Sequence, residues 1–193
     1  RFGQFVWGRL EPQQGKWDWA LTDGVLNEYV KQGMDIVGLM WVGFYSYVPP
    51  PQWAMDPATP EAKGYRWIPR IDAWKDFMTA LVDRYGDRIR TWEILNEPWP
   101  NLLRDGEAYG RILKTASEII RERQSDARIV CGCLMGRTGP QMRQFEDDWF
   151  RVAGPESFDI VGVHYVSRGR WAEYVETMKA WGIHKPVWDT EGS

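Results

Sequence analysis

Short apolar segments alternate strictly with longer amphipathic segments along this 193-residue chain. The apolar segments are typical of strands, and they cover residues 2–7, 35–41, 89–95, 127–133, 158–164 and 186–191. The amphipathic segments carry apolar side chains at helical spacing, and they cover residues 22–32, 71–85, 106–123, 141–152 and 171–181. Nearly continuous apolar strands between helices indicate a parallel sheet covered on both faces. The alternation therefore predicts one α/β domain over residues 1–193, because no linker or low-complexity segment interrupts it.

Two architectures share this alternation, an open doubly wound sheet and a (β/α) barrel. A doubly wound nucleotide-binding protein usually has a glycine-rich turn after its first strand, and the sequence has none there. In a barrel, the chemistry lies at the carboxyl ends of the strands. The predicted strands end on aromatic, polar and acidic residues, namely Trp7, Trp41, Asn96-Glu97, His164-Tyr165 and Glu191. These strand ends favour a barrel with a sugar site at its mouth.

Charge and composition exclude several kinds of partner. Lys and Arg number 24 and Asp and Glu number 27, so the formal net charge of −3 provides no basic field for a nucleic acid. Residues 36–55 carry no charge, but Pro49-Pro50-Pro51 would break a membrane-spanning helix, and we expect a buried strand followed by a loop. Cys131 and Cys133 have no further ligand nearby for zinc, so we expect two buried thiols on a strand. The first residues do not form a secretory signal, and the cellular compartment stays open, secretion of a longer parent included.

The strand over residues 89–95 leads into Trp92-Glu93-Ile94-Leu95-Asn96-Glu97-Pro98, which resembles the Asn-Glu-Pro motif of clan A glycoside hydrolases. Residues 186–192 resemble the strand of that family that carries its nucleophile. Residues 7–19 resemble the segment after the family's second strand, and residues 51–54 resemble the loop after its third. The resemblance implies a (β/α)8 barrel that hydrolyses a glycoside or polysaccharide with retention of configuration, and it implies neither a metal nor an organic cofactor.

The strand count agrees with this resemblance. If the first strand here corresponds to the family's second, then Asn96-Glu97 ends the fourth strand and Glu191 ends the seventh. Strands one and eight of the barrel would then be missing, and a complete barrel typically needs about 250 residues. We therefore expect a partial barrel with two unpaired strand edges. Such edges promote association, so we expect the isolated segment to be unstable or to aggregate.

The resemblance assigns Glu97 as the acid/base and Glu191 as the nucleophile. Glycoside hydrolysis with retention needs two carboxyl groups about 5–5.5 Å apart, one to protonate the leaving oxygen and one to form a covalent intermediate. The two groups need different environments, because Glu97 must be protonated near neutral pH while Glu191 stays charged. The alternative is that both are ordinary acids at the ends of strands.

The resemblance also implies a set of substrate-binding residues. Asn96 would hydrogen-bond the sugar 2-hydroxyl, and the alternative is an asparagine that only forms the turn. Either His164 or Tyr165 would face the site, although His164 is also compatible with a structural histidine. Arg1 could match an arginine that the family often carries on its second strand.

The 13 tryptophans include candidates for sugar stacking. Trp41 and Trp99 follow strand ends, so these two are the predicted stacking residues. Trp17, Trp19, Trp74 and Trp92 are predicted to lie in or near the core. Glu93 and Glu11 are interpreted as structural acids that pair with arginine.

Two rival functions remain open at this point. A carbohydrate-binding barrel without turnover shares the fold, although the presence of both glutamates weighs against it. An open α/β protein that binds a phosphorylated ligand would need a phosphate loop, which the sequence lacks. The sequence does not distinguish xylosidase-like, cellulase-like, mannanase-like and galactosidase-like specificities.

Overall fold

A computed structural model describes residues 1–42, 48–59, 68–102, 104–134 and 139–192, and for residues 101 and 133 it describes the backbone alone. The strands are β1 (Phe2–Val6), β2 (Val37–Trp41), β3 (Thr91–Ile94), β4 (Arg128–Leu134), β5 (Ile160–His164) and β6 (Val187–Glu191). The helices are α1 (Trp7–Leu10), α2 (Ala20–Lys31), α3 (Ile71–Tyr85), α4 (Pro98–Asn101), α5 (Gly106–Arg123), α6 (Pro140–Ala153) and α7 (Arg168–Ala180). Two short 3₁₀ turns cover Gln52–Ala54 and Pro155–Ser157.

The six strands form one parallel sheet in which their spatial order is their order along the chain. A doubly wound sheet would reverse its order at a switch point, whereas a barrel wall keeps the order of the sequence. The predicted α/β fold, a partial (β/α)8 barrel, is therefore confirmed. In the sheet as described, β1 and β6 are the edge strands, and each pairs with one neighbour. All six carboxyl ends lie along the same edge of the sheet.

Aromatic side chains fill the layer between the sheet and its helices. Phe5 of β1 packs against Tyr85 of α3 and Trp92 of β3, with ring centroids 5.0 and 5.9 Å apart. Trp74 and Trp92 are fully buried, and the Trp74 indole donates to the Ile112 carbonyl oxygen at 3.0 Å. These polar indole contacts satisfy the N–H groups that burial would otherwise leave unpaired.

Trp17 and Trp19 lie further out, as predicted for residues at the border of the core. They stack on each other at 4.6 Å, and both are partly buried. Cys131 is buried in β4, as expected, and burial raises the pKa of its thiol to about 12. The side chain of Cys133 lies outside the described residues, as do residues 43–47 of the uncharged stretch.

The predicted elements all occur, and their ends differ by a few residues. Helices α3 and α5 have the predicted bounds, whereas α7 begins three residues early, at Arg168. Trp7 was expected to end the first strand but begins α1 instead. Helix α4 was not predicted, since its four residues are too few for a periodic pattern. Among the described residues, none of the helices is long and apolar enough to cross a membrane.

Helices α5 and α6 approach each other closely at Gly106 and Gly110. A Cβ atom added at Gly110 would lie 2.7 Å from the Val152 Cβ and 2.8 Å from the Trp149 carbonyl oxygen. By contrast, a Cβ atom added at Gly24 of α2 would meet nothing within 4 Å. Gly110 and Gly24 therefore allow the same substitution to be tested at a tight helix contact and at an open surface position.

We predict that Gly110→Ala lowers the free energy of unfolding by roughly 1–3 kcal/mol, because the added methyl group forces the two helices apart. Gly24→Ala should raise it by about 0.5–1 kcal/mol, since alanine favours the helix and meets no obstacle. Urea denaturation of the full-length protein, followed by circular dichroism, measures both changes in the free energy of unfolding. Equal effects of the two substitutions would show that the α5–α6 approach is not tight in solution.

Candidate active site

The backbone leaves the sheet abruptly after β3. Leu95 and Glu97 have positive φ angles of 65° and 42°, a left-handed conformation that non-glycine residues rarely adopt. Neighbouring residues on a regular strand point to opposite faces, so Asn96 and Glu97 could not both face one site from an extended strand. The two left-handed residues remove this restriction. Asn96 is buried and contacts Arg1, while Glu97 turns toward His164.

His164, the last residue of β5, lies between the two predicted catalytic glutamates. Its Nδ1 atom is 3.2 Å from Glu97 Oε1 and 3.8 Å from Glu191 Oε2. These two oxygens therefore cannot be further apart than the sum of these distances, 7.0 Å. The histidine is 1% exposed, whereas the side chains of Glu97 and Glu191 are 25% and 39% exposed, so the carboxyl groups meet a buried ring from the solvent side. The structure thus brings the carboxyl ends of β3, β5 and β6 to one point.

Arg1 contacts two acidic side chains and two further oxygen acceptors. Its guanidinium lies 2.9 Å from Glu93 Oε2 and 2.9 Å from Glu191 Oε2. It also donates to the Asn96 side-chain oxygen and, at 3.1 Å, to the Thr190 carbonyl oxygen. Arg1 lies directly before β1, so this contact joins both edge strands of the sheet to β3.

Tyr165 contacts the Glu191 carboxylate at its other oxygen. Its hydroxyl donates to Glu191 Oε1, and its backbone N–H donates to the Glu191 carbonyl oxygen at 2.9 Å. Tyr165 has a positive φ angle of 51°, and its side chain is about half exposed. Sequence reasoning left open which of His164 and Tyr165 faces the site. Both do, because the left-handed turn at Tyr165 lets the two neighbours converge.

The charges around Glu191 favour its ionised form. Burial raises the pKa of this carboxyl, but the hydrogen bonds from Tyr165 and Arg1 and the charges of His164 and Arg1 outweigh that effect. The pKa of Glu191 therefore lies below its ordinary value. Such an environment suits a group that has to remain a carboxylate.

Glu93 lies deeper in the same group, in an environment that disfavours its ionised form. Its side chain is fully buried, and burial raises its pKa although Arg1, Thr190 and His164 act to lower it. The Thr190 hydroxyl donates to Glu93 Oε1 at 3.0 Å. The sequence interpretation of Glu93 as a structural acid paired with an arginine agrees with these contacts. Thr190 was not predicted, and only its position beside Glu191 could have suggested it.

Glu11, the second predicted structural acid, lies away from this group, and among the described residues its hydrogen bonds come from a tryptophan and a backbone N–H, not from an arginine. It accepts from the Trp7 indole at 2.9 Å and from the Gly15 backbone N–H at 2.8 Å. Glu11 therefore holds the loop after α1 in place.

The two predicted stacking residues occupy different positions. Trp41 ends β2, and its indole nitrogen is 3.4 Å from the place that a Cβ atom would take at Gly3. Arg1 and Gly3 are two residues apart, so extended backbone directs both to the same face of the sheet, and Trp41 lies on that face. Trp99 lies in α4, where its ring meets Phe145 of α6 edge to face at 5.4 Å. Trp99 thus packs between α4 and α6 against the core, and its role in stacking stays a prediction.

Metal ligation has no candidate group in the described part of the chain. No three His, Cys, Asp or Glu side chains there are grouped so that they could hold a metal ion. The site is instead a set of carboxyl groups balanced by Arg1 and His164.

Comparisons with known proteins bear on the fold that carries this site. No family model matches the chain. The furostanol glycoside 26-O-beta-glucosidase of Hellenia speciosa is 29% identical over 107 residues, which are 54% of this chain and 18% of that protein. A family 39 glycoside hydrolase from Bacteroides cellulosilyticus matches 97% of this chain and 42% of its own at a TM-score of 0.65 and 17% identity. The lactosyl-enzyme intermediate of endo-glycoceramidase II from Rhodococcus sp. matches 96% of this chain and 63% of its own at a TM-score of 0.54 and 16% identity.

The chain has the glycoside hydrolase fold of these neighbours. The resemblance to clan A glycoside hydrolases, predicted from the Asn-Glu-Pro segment, is confirmed at the level of the fold. The chain spans less than two thirds of the length of each of these proteins.

We predict that Tyr165→Phe raises the pKa of Glu191, because the carboxylate loses a hydrogen bond that stabilises its charged form while burial continues to disfavour the charge. A ¹³C NMR titration of the Glu191 carboxyl in the full-length protein measures this shift in pKa. Tyr29→Phe is the matched control, since Tyr29 is also a partly exposed tyrosine but lies on α2. The same Glu191 titration in both variants would contradict the assigned contact.

Proposed function

We propose that this chain is the catalytic part of a retaining glycoside hydrolase, with Glu191 as nucleophile and Glu97 as acid/base. The observation that carries the proposal is the approach of both carboxyl groups to the Nδ1 atom of one buried histidine, His164. The resulting limit of 7.0 Å accommodates the separation of about 5–5.5 Å in retaining enzymes. It lies near the lower end of the range of about 6.5–9.5 Å in inverting enzymes.

In the first step, a Glu191 oxygen attacks the anomeric carbon of the sugar. The bond from that carbon to the leaving oxygen breaks, and Glu97 gives its proton to this oxygen. The product is a glycosyl ester on Glu191, and Glu97 is left as a carboxylate. The lowered pKa of Glu191 supports this assignment, because the attacking carboxyl has to be ionised.

In the second step, Glu97 takes a proton from a water molecule while the water oxygen attacks the anomeric carbon. The ester bond breaks, Glu191 returns as a carboxylate, and Glu97 is protonated again. The two displacements at one carbon retain the configuration. The solved structure of a lactosyl-enzyme intermediate with this fold supports a covalent step.

The remaining polar residues of the site have positioning roles. Arg1 and Tyr165 orient the Glu191 carboxylate by hydrogen bonds to its two different oxygens. Asn96 accepts from Arg1 through its side-chain oxygen, so its amide nitrogen would be the atom that meets the sugar 2-hydroxyl. The substrate is a glycoside or polysaccharide, which agrees with the glycoside named as the substrate of the Hellenia enzyme.

The alternative function is a barrel that binds carbohydrate without turnover. The two glutamates and the histidine that contacts both favour the enzyme, because binding alone does not need two carboxyl groups so close together. Turnover experiments with the full-length protein decide between the two.

We predict that a 2-fluoro glycoside with a good leaving group labels Glu191 covalently in the full-length protein. The fluorine slows both displacements and the good leaving group restores the first, so the ester accumulates. Mass spectrometry followed by peptide mapping detects the label, with Glu191→Gln as the unlabelled control. A folded protein that no sugar in the panel labels would favour the binding barrel, and a label on another residue would overturn the assigned nucleophile.

Glu97→Ala should slow hydrolysis of an alkyl glycoside by 100-fold or more, because an alkoxide leaving group needs the proton, in line with the usual size of general acid catalysis, ~10²–10⁴-fold. Formation of the glycosyl-enzyme from a dinitrophenyl glycoside should slow much less, since this leaving group needs little protonation. Pre-steady-state release of dinitrophenolate measures this step. Equal losses for both substrates would argue against Glu97 as the acid.

A further inference from the structure

The register between β5 and β6 shifts by one residue directly before Glu191. Val163 of β5 pairs with Asp189. The next residue of β5, His164, pairs with Glu191. Thr190 is therefore an extra residue on β6 at this point. A bulge of this kind bends its strand and redirects the side chains that follow it.

The bulge explains how two neighbouring side chains of β6 reach the same group of residues. On a regular strand, Thr190 and Glu191 would point to opposite faces of the sheet. Here the Thr190 hydroxyl donates to Glu93 Oε1 at 3.0 Å, and Glu191 Oε2 accepts from Arg1 at 2.9 Å. Arg1 also contacts Glu93, so both side chains meet one cluster. The direction of the Glu191 side chain thus depends on where the bulge at Thr190 is held.

Thr190 is held by contacts to two other parts of the sheet. Its hydroxyl reaches Glu93 of β3, although β4 and β5 lie between β3 and β6. In a flat sheet β3 and β6 would lie about 14 Å apart, so this contact crosses the inner side of the curled sheet. The Thr190 carbonyl oxygen accepts from Arg1 Nη1 at 3.1 Å, and Arg1 lies directly before β1.

Glu93 is a rigid acceptor for the Thr190 hydroxyl. Its side chain is fully buried on β3. Arg1 contacts both of its oxygens, Oε2 at 2.9 Å and Oε1 at 3.1 Å. Hydrogen bonds to a charged acceptor are stronger than those between neutral groups. The hydroxyl therefore meets an acceptor whose position the surrounding structure fixes.

We propose that Thr190 is a positioning residue for the nucleophile. Its hydrogen bond to Glu93 fixes the bulge in β6, and the bulge aims the Glu191 carboxylate at the anomeric carbon of the sugar. This proposal rests on the proposed glycoside hydrolase function and adds to it a residue that acts through Glu191.

A positioning role differs from a purely structural one in what it changes. Attack on a carbon atom requires the reacting atoms to be about 3–3.5 Å apart, and a misplacement of about 1 Å can cost roughly 100-fold in rate. Loss of the hydroxyl should therefore slow the reaction of protein that is still folded and still binds its substrate. A hydroxyl that only satisfied Glu93 would change stability and leave that rate unchanged.

The test is the rate at which Glu191 of the full-length protein is labelled by dinitrophenyl 2-deoxy-2-fluoro glycosides of glucose, xylose, mannose and galactose. Thr190→Val replaces the hydroxyl by a methyl group of similar size. We expect it to lower the rate constant of labelling at saturating reagent by about 10–100-fold, with little change in the dissociation constant of the reagent. Thr190→Ser retains the hydroxyl, so its rate constant should stay within about threefold of the wild-type value.

Thr177→Val is the matched control. Thr177 is a buried threonine on α7, and its hydroxyl donates to the Glu173 carbonyl oxygen at 2.9 Å. This change removes a hydrogen-bonded hydroxyl outside the cluster and should leave the labelling rate unchanged. If Thr190→Val disturbs the fold, as judged by circular dichroism, Thr190→Ala and Thr190→Ser replace it as a pair that differs only in the hydroxyl.

The outcomes separate this proposal from the proposed function. Labelling of the wild-type protein at Glu191 with the same rate constant in the variants without the hydroxyl would overturn the positioning role and leave the enzyme. Labelling of Thr190→Ser as slow as that of Thr190→Ala would likewise contradict a role of the hydroxyl. If none of the four sugars labels the folded wild-type protein, the assigned nucleophile is wrong and the positioning role is lost with it.

Discussion

Three carboxyl groups converge at one end of the sheet, and two groups that can carry positive charge hold them there. Glu93, Glu97 and Glu191 come from β3 and β6 or directly follow β3, and each contacts Arg1 or His164. Like charges at such short range repel, and burial of an unpaired carboxylate costs several kcal/mol. Arg1 neutralises Glu93 and Glu191 together, because its planar group presents several donors at fixed angles. The geometry of the site therefore depends on Arg1, which directly precedes β1.

The contacts of Arg1 also depend on the shape of the sheet. β1 and β6 are the two edge strands, and they are separated by four strands in the order of the sheet. A flat sheet would hold these edges about 20 Å or more apart, since neighbouring strands are spaced by about 4.7–4.9 Å. Contact between Arg1 and Glu191 requires the sheet to curl so that its edges approach. The ion pair and the barrel-like curvature are two aspects of one arrangement.

The architecture could be predicted from the sequence because long periodic segments determine it. Helices α3 and α5 carry apolar side chains at helical spacing over 15 and 18 residues, and their bounds match the prediction. The convergence of the strand ends followed from the parallel order, so Glu97, His164 and Glu191 could be expected near one another. The left-handed residues Leu95 and Tyr165 could not be predicted, since nothing in their type favours that conformation.

The roles of the tryptophans were harder to predict for a related reason. Trp41 ends β2 and Trp99 follows the end of β3, but the direction of each ring depends on the turn that comes next. Helix α4 directs Trp99 toward Phe145, and its four residues carry no periodic signal. Thr190 is a similar case, because its contact with Glu93 joins residues 97 positions apart. Such contacts depend on the closure of the whole sheet and not on local pattern.

Strain and buried charge favour the catalytic interpretation of this fold over a purely binding one. Leu95, Glu97 and Tyr165 hold left-handed backbone conformations, and each costs of order 1–3 kcal/mol. Glu93 adds the cost of a buried acid whose pKa is raised by its surroundings. Glu93, Glu97 and Tyr165 each contact another residue of the site, and Leu95 lies in the turn that leads into it. A protein that only stacks sugars on aromatic rings needs none of these costs. Costs of this kind persist where a precise arrangement of charges is needed, and the proposed function needs such an arrangement in its two carboxyl groups.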